Sequence, residues 1–132
     1  MMKVIVIDDE PVIADTLVDI LNGEGYKAVA TSDGASAIKW APLIEPDVVI
    51  SDVIMPGING IETAKAILKA VPHCRIVLFS GQAASLDLLE KAREEGYLFE
   101  VLAKPINPDI LLDTLGSKSM AAETKLSKYS WR

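Results

Sequence analysis

The stretch DVVISDVIMPGINGIE, residues 47–62, has the pattern of one strand–turn–helix unit. A β-branched apolar run leads to Asp52, and the turn signal Pro56-Gly57 precedes a helical pattern that begins near Asn59. Uninterrupted apolar runs are typical of strands that are buried on both faces, as in parallel sheets. A carboxylate at the end of such a strand is costly to bury unless it is paired, binds a metal or faces a cleft. Asp52 is therefore a candidate functional residue.

The same alternation of strand and helix recurs along the chain. Apolar residues at helical spacing mark one face of three helices: Ile13, Leu17, Ile20 and Leu21; Ile61, Ala64, Ile67 and Leu68; Ile110, Leu111 and Leu115. Strand-like runs lie at residues 3–7, 28–30, 47–51, 75–80 and 98–103. Each crossover between parallel strands is right-handed and long, so the pattern predicts a doubly wound α/β domain with a five-stranded parallel sheet and five helices.

Three of the helix starts carry a recognisable signal. Pro11 and Pro108 suit the first turn of a helix, where the missing N–H is not needed. Asn59 and Glu62 have the spacing of an N-cap and the third helical residue. These signals place the beginnings of the first, third and fifth helices.

Charge divides the chain into an acidic body and a basic tail. Residues 1–116 contain 9 Lys and Arg against 18 Asp and Glu, whereas residues 117–132 contain 4 against 1. We interpret residues 1–116 as one domain and residues 117–132 as a short basic C-terminal tail, either a frayed terminus or a linker stub. An acidic body disfavours direct nucleic-acid binding by the domain.

Several residue patterns bear on the location of the protein in the cell and on the roles of its single cysteine and single histidine. No apolar stretch approaches the roughly 18 residues of a membrane span, and Met1-Met2-Lys3 leads directly into a strand pattern, so we expect a cytoplasmic protein without membrane contact. Cys74 has no cysteine to pair with and is expected to be buried as a small hydrophobe. His73, the only histidine, is expected to be a surface loop residue rather than a phosphorelay residue.

Polar residues follow four of the five predicted strands. Asp8-Asp9-Glu10, Asp52, Ser80 and Lys104-Pro105 come at or after the ends of the first, third, fourth and fifth strands. In doubly wound sheets, ligands bind outside the carboxyl ends of the strands. Clustered carboxylates repel one another unless a hard cation neutralises them, and Mg²⁺ prefers such oxygen ligands together with a phosphate. The residues predict a phosphoryl-transfer site with Asp52 as the nucleophile.

Each of these residues also has a plain structural interpretation. Asp8-Asp9-Glu10 suits the positive end of a helix dipole, and Asp52 suits the cap of a turn. Ser80 suits a strand-end hydroxyl that bonds to backbone, and Lys104 suits a solvated loop. Their joint occurrence at four corresponding strand ends favours the phosphoryl site.

Four motifs resemble those of a protein family. Asp8-Asp9, the run DVIMPGINGIE from Asp52, Ser80-Gly81 and Lys104-Pro105 together resemble the response-regulator receiver domain of bacterial two-component signalling. The resemblance covers approximately residues 3–116. It implies a flavodoxin-like sheet of strand order 2-1-3-4-5, and we expect a stand-alone, single-domain regulator.

The resemblance also implies a metal site and a phosphoryl acceptor. Asp52 would accept a phosphoryl group from the phosphohistidine of a sensor histidine kinase or a phosphotransfer protein. Mg²⁺ would be held by Asp9, Asp52 and the backbone carbonyl of Ile54, with Asp8 acting largely through a water.

Further implied roles concern the switch. Lys104 would pair with the phosphoryl oxygens, Ser80 would move in to hydrogen-bond to one of them, and Pro105 would follow a cis peptide bond. The face formed by the fourth helix, fifth strand and fifth helix would then change its output partner, which the sequence does not identify.

The chain departs from the family pattern at one switch position. Val101 occupies the place three residues before the lysine where an aromatic residue is usual. The aromatic side chain that would follow the movement of Ser80 is therefore missing at this position. Ile54 and Gln82 would flank the path of an attacking water, and an apolar Ile54 cannot orient that water by hydrogen bonding. We therefore expect slow autodephosphorylation.

Three other functions deserve comparison. A haloacid-dehalogenase-type phosphatase needs Asp-x-Asp after the first strand, whereas this chain has adjacent Asp8-Asp9. A flavodoxin-like cofactor carrier needs a phosphate-binding loop there, and an acidic loop would repel phosphate. An adaptor that is never phosphorylated stays open, although the presence of all four chemical groups argues against it.

Overall fold

The computed structural model describes residues 2–81 and 83–116. Gln82 and the predicted tail at 117–132 lie outside the described residues. Strands and helices alternate throughout: β1 (Lys3–Ile7), α1 (Pro11–Gly23), β2 (Lys27–Thr31), α2 (Gly34–Ile44), β3 (Val48–Asp52), α3 (Gly60–Ala70), β4 (Arg75–Ser80), α4 (Ala83–Glu94), β5 (Glu100–Ala103) and α5 (Pro108–Leu115).

The sheet has the predicted topology. Its order is β2-β1-β3-β4-β5, and every neighbouring pair is parallel. This order reverses direction between β1 and β3, which leaves a crevice at the carboxyl ends of those two strands. The flavodoxin-like α/β fold is thereby confirmed.

Alternate residues of the strands belong to two apolar clusters, one on each face of the sheet. In β1, Val4 and Val6 belong to a cluster with residues of α1 and α5, whereas Ile5 and Ile7 belong to a cluster with residues of α2, α3 and α4. All four of these side chains are at most 1% exposed. Because both faces of β1 are covered, its run from Val4 to Ile7 is apolar without a break, as the sequence pattern indicated.

The helix starts agree with the sequence signals. Pro11 and Pro108 are the first residues of α1 and α5. Asn59 caps α3, and its side-chain oxygen accepts a hydrogen bond from the Glu62 N–H at 2.9 Å. The buried stripe of α3 contains Ile61, Ala64 and Ile67, as predicted.

The predicted face of α1 is wrong in part. The buried residues of α1 are Ala14, Leu17 and Leu21, whereas Ile13 and Ile20 are only half-buried. Ile13 still packs in part against the apolar cluster that contains Val4 and Val6, next to the buried Ala14.

Three strand boundaries differ from the prediction. β3 continues through Asp52, because Asp52 pairs in register with Phe79 of β4. β5 begins at Glu100 instead of Leu98, because α4 ends in a turn with Gly96 at φ 96° and leaves Leu98 75% exposed. β2 gains one residue at each end through its full pairing with β1.

Other expectations concern single side chains. Cys74 is 6% exposed, and burial together with the nearby charge of Asp47 raises the pKa of its thiol to about 12. His73 is exposed in the turn between α3 and β4. Among the described residues, no helix has both the length and the apolarity needed to cross a membrane.

Candidate functional site

Three carboxylates meet at the carboxyl end of the sheet. Asp8 and Asp9 follow β1, Asp52 is the last residue of β3, and one oxygen of each lies within 4.8 Å of the others. Asp8 and Asp52 are 3% and 8% exposed, whereas Asp9 is open to solvent. The crevice between β1 and β3 therefore holds the acidic cluster that the sequence predicted.

Asp8 is the carboxylate most strongly affected by its surroundings. Burial raises its pKa, the charges of Asp52 and Asp9 raise it further, and the opposing effects of the Glu10 N–H and Lys104 are too small to reverse the shift. The Glu10 N–H donates to Asp8 Oδ1 at 2.9 Å. Keeping Asp8 ionised beside the other two carboxylates therefore has a cost that a bound cation would relieve.

Lys104 lies directly against Asp52. Its Nζ donates to Asp52 Oδ2 at 2.5 Å, and the side chain of Lys104 is 29% exposed. Burial alone would lower the pKa of Lys104, but the hydrogen bond and charge of Asp52, with the charges of Asp8 and Glu10, raise it. Lys104 is therefore positively charged at neutral pH beside the candidate nucleophile.

Two glycines permit close approach of the chain around Asp52 and Lys104. A Cβ at Gly60, the first residue of α3, would lie 2.0 Å from the backbone oxygen of Asp52. A Cβ at Gly81 would lie 2.9 Å from Cβ of Lys104. A side chain at either position would displace a site residue, so glycine is required by packing.

Ser80 ends β4 at the same edge, and its hydroxyl shares a hydrogen bond with the hydroxyl of Ser85. Ser80 is half-buried, and Ser85, in the first turns of α4, is fully buried. The sequence interpretation overlooked Ser85. The sequence does contain a signal for the burial of Ser85. Residues 85, 88, 89 and 92 have the spacing of the buried face of a helix, and the first of them is a serine.

The remaining predicted residues lie around this centre. Ile54 is half-buried and packs against the apolar cluster that includes α3. Val101 is buried in β5, opposite Leu78 of β4. The Lys104–Pro105 peptide bond is cis, as the resemblance implied. Gln82 is outside the described residues.

An apolar groove of about 600 Å³ lies between α1 and the segment that joins β5 to α5. Its walls include Ile13 and Ile20, the two isoleucines that the core leaves half-buried, together with Ile106 and Pro108. Lys104 also borders it. The groove therefore extends to Lys104, whose Nζ is hydrogen-bonded to Asp52.

The donor set fits a small divalent cation. Every candidate ligand side chain is a carboxylate, and hard oxygen ligands suit Mg²⁺ better than metals that prefer nitrogen or sulfur. With the cationic Lys104 hydrogen-bonded to Asp52, the arrangement can neutralise negative charge that is added to Asp52.

The doubly wound α/β fold and the acidic cluster at the carboxyl edge of its sheet define the class of protein, and comparison with known families agrees. The family model described as "Response regulator receiver domain" matches residues 4–116. The chain belongs to this family, whose members are signalling domains of two-component systems.

Individual relatives support the same assignment. The chain is 31% identical over 87 residues to the DNA-binding response regulator MtrA of Mycolicibacterium smegmatis, matching 66% of this chain and 38% of that protein. It is 27% identical over 118 residues to the chemotaxis protein CheY of Thermotoga maritima, matching 89% of this chain and 97% of the relative. This chain therefore spans less than half of MtrA.

A solved structure has the same architecture. The Vibrio cholerae chemotaxis protein CheY4, crystallised at low pH, is 30% identical to this chain, with a TM-score of 0.77. The match covers 87% of this chain and 96% of that one.

Proposed function

We propose that this chain is a phospho-accepting receiver that takes a phosphoryl group onto Asp52 and signals through altered protein binding. The observation that carries the proposal is the placement of Asp52, whose carboxylate lies with Asp8 and Asp9 in one cluster and accepts a hydrogen bond from Lys104. The phosphoryl donor is a sensor histidine kinase or a phosphotransfer protein. The apolar groove beside Lys104 supports a protein donor, since it offers a surface for docking next to the acceptor.

The transfer requires one bond to form and one to break. An oxygen of Asp52 attacks the phosphorus of the donor phosphohistidine, the P–N bond breaks, and the histidine nitrogen leaves with the electron pair. The product is an acyl phosphate on Asp52. Lys104, within hydrogen-bond distance of Asp52, stabilises the negative charge on the phosphoryl oxygens.

Mg²⁺ is the cofactor we propose, held by Asp8, Asp9, Asp52 and the backbone carbonyl of Ile54. When bound, it supplies positive charge that offsets repulsion between the carboxylates and the incoming phosphoryl group. The raised pKa of Asp8 supports this assignment, because it reflects a carboxyl group for which ionisation is unfavourable in the metal-free cluster.

Ser80 is proposed to complete the site by donating a hydrogen bond to the phosphoryl group. Ile54, Gln82, Val101 and Pro105 are proposed to modulate the phosphorylated state. An isoleucine beside the acceptor cannot orient an attacking water, so we expect slow autodephosphorylation; a phosphoryl lifetime of only seconds would contradict this.

The setting of the receiver is proposed from its family. We assign residues 1–116 to the receiver domain and residues 117–132 to a basic tail, and we propose a cytoplasmic location, where a kinase would meet it. Output is expected through the face of α4, β5 and α5, with no direct binding of nucleic acid or membrane by this domain.

Incubation with acetyl phosphate tests the proposal by intact-protein mass spectrometry. Wild-type protein with Mg²⁺ should gain one phosphoryl group, and Asp52→Asn or an excess of chelator should abolish the gain. Asp47→Asn is the matched control, because Asp47 lies just before β3, at the opposite end from Asp52, and bonds to the Lys3 N–H at 2.7 Å. Equal labelling of Asp52→Asn and wild type would overturn the assignment.

A further inference from the structure

We propose that Ser85 is a positioning residue that holds the Ser80 hydroxyl against α4 and thereby sets how readily Ser80 reaches a phosphoryl group on Asp52. This inference rests on the proposed function. It adds a residue of α4 to the site and couples that helix to modification of Asp52.

The contact itself is a hydrogen bond between two hydroxyl groups from different elements. Ser80 is the last residue of β4, and Ser85 lies in α4 with a relative exposure of 0%. A buried hydroxyl keeps its hydrogen bonds because water cannot replace them. The pair therefore favours the Ser80 orientation that faces α4.

The rest of α4 is weakly anchored. Among its described residues, Ser85 and Ala92 are the buried ones, whereas α3 buries Gly60, Ile61, Thr63, Ala64 and Ile67. Leu88 and Leu89 reach the core only in part, and Leu86 is 50% exposed. The Ser80–Ser85 bond is thus one of the buried contacts that hold the beginning of α4.

A phosphoryl group on Asp52 would compete for Ser80. Asp52 ends the neighbouring strand β3, and phosphoryl oxygens only accept hydrogen bonds, so Ser80 must turn toward β3 and donate its proton there. The charge-assisted bond gained is stronger than the neutral bond given up. Moving Ser80 nevertheless costs the bond to Ser85, and this cost belongs to the switching equilibrium.

Removing the Ser85 hydroxyl should therefore make the phosphorylated conformation easier to reach. We expect Ser85→Ala to bind beryllofluoride, an analogue of the phosphoryl group on a carboxylate, about three- to tenfold more tightly than wild type, as for loss of one neutral hydrogen bond. The dissociation constant is measured by ¹⁹F NMR titration in the presence of Mg²⁺.

A double-mutant cycle separates positioning from general structure. In a Ser80→Ala background, Ser85→Ala should leave beryllofluoride affinity unchanged, because there is no Ser80 hydroxyl to release. Ser36→Ala is the control for loss of a serine hydroxyl elsewhere, since Ser36 bonds to Asp33 at the start of α2, and it should match wild type. Ser85→Cys, nearly the same size and a weaker donor, should shift the affinity in the same direction by less.

The outcomes distinguish this inference from the proposed function. If wild type binds beryllofluoride but Ser85→Ala and Ser85→Cys bind no more tightly, or if the gain persists without Ser80, the role of Ser85 is refuted. If wild type neither binds beryllofluoride nor accepts phosphate at Asp52, the proposed function itself fails. Each variant enters the comparison after cooperative thermal unfolding has shown that it is folded, and Ser85→Cys replaces Ser85→Ala if the latter is not.

Discussion

Asp8 has a raised pKa because it is buried beside two other carboxylates. A carboxyl group with a pKa higher in the folded state than in the unfolded state makes folding less favourable as pH rises from its ordinary value of 3.8 through the raised one. The full cost is present above the raised pKa, and it disappears in acid, where Asp8 is protonated in both states. A residue kept at such a cost is typical of a functional site.

Asp8→Asn should therefore stabilise the metal-free protein. The amide oxygen of the introduced asparagine can still accept a hydrogen bond from the Glu10 N–H while the charge is removed, so we expect the free energy of unfolding at pH 7 to rise. Urea denaturation with a chelator present measures the change, and the gain should shrink as pH falls toward 4. Asp15→Asn, on the exposed side of α1, is the control and should have little effect. A destabilised Asp8→Asn protein would contradict this electrostatic account.

At the scale of elements, the junction between β3 and α3 positions Asp52. The N–H of Gly60 donates to the Val53 oxygen at 2.8 Å, which brings the start of α3 against the end of β3. There is no space for a Cβ at Gly60, since the Asp52 oxygen would lie only 2.0 Å away.

Gly60→Ala should separate the two elements. We expect a loss of about 2 kcal/mol or more in unfolding free energy, as for other forced overpacking, together with slower phosphorylation of Asp52. Gly23→Ala is the matched control: Gly23 ends α1 with nothing within 4 Å of the added Cβ, so the change should be neutral or stabilising by up to about 1 kcal/mol. Denaturation and acetyl phosphate labelling of both variants test this, and an unimpaired Gly60→Ala protein would refute it.

The sequence predicted the elements better than their boundaries. Apolar runs and proline or asparagine start signals are local, so they predicted the strands and the starts of α1, α3 and α5. The extension of β3 through Asp52 depends on pairing with Phe79, which is distant in sequence. The burial of Ala14 next to a half-buried Ile13 depends on how α1 packs against other elements, which a local pattern does not determine.

At the scale of the whole molecule, a second polar network lies at the opposite end of the sheet from the carboxylates. Arg75, at the start of β4, donates two hydrogen bonds of 2.6 Å to Glu100, at the start of β5. It also donates to the Thr114 carbonyl in the last turn of α5 at 2.7 Å. The Arg75 and Glu100 side chains are only 10% and 13% exposed, so the network joins two strands and a helix in a place that excludes most solvent.

Glu100→Gln should weaken the fold without disturbing phosphorylation. Loss of the negative charge leaves Arg75 nearly buried with a poorer partner, and we expect about 2 kcal/mol less stability with unchanged labelling of Asp52. Glu90→Gln is the control, since Glu90 pairs with Arg93 at 4.0 Å on the exposed surface of α4 and should contribute less than about 1 kcal/mol. Thermal unfolding compares the two, and equal effects would contradict the role assigned to burial.

Across the whole molecule, the sequence predicted which chemistry the site would hold but not all of its partners. Parallel strands end at one edge, so Asp8, Asp52 and Lys104 were expected together, and the structure brings them together. Ser85 was not expected, because its significance comes from a contact between a helix and a strand end. A serine in an apolar stripe does not by itself reveal which hydroxyl it faces.

The most direct test of the account is chemical identification of the phosphorylated residue. Borohydride reduces an acyl phosphate and converts the modified aspartate to homoserine, which peptide mass spectrometry can locate. After incubation with acetyl phosphate and Mg²⁺, homoserine is predicted at position 52, and Asp8 and Asp9 are predicted to remain aspartate. Homoserine at another position, or none after reduction, would contradict the central claim that Asp52 is the acceptor.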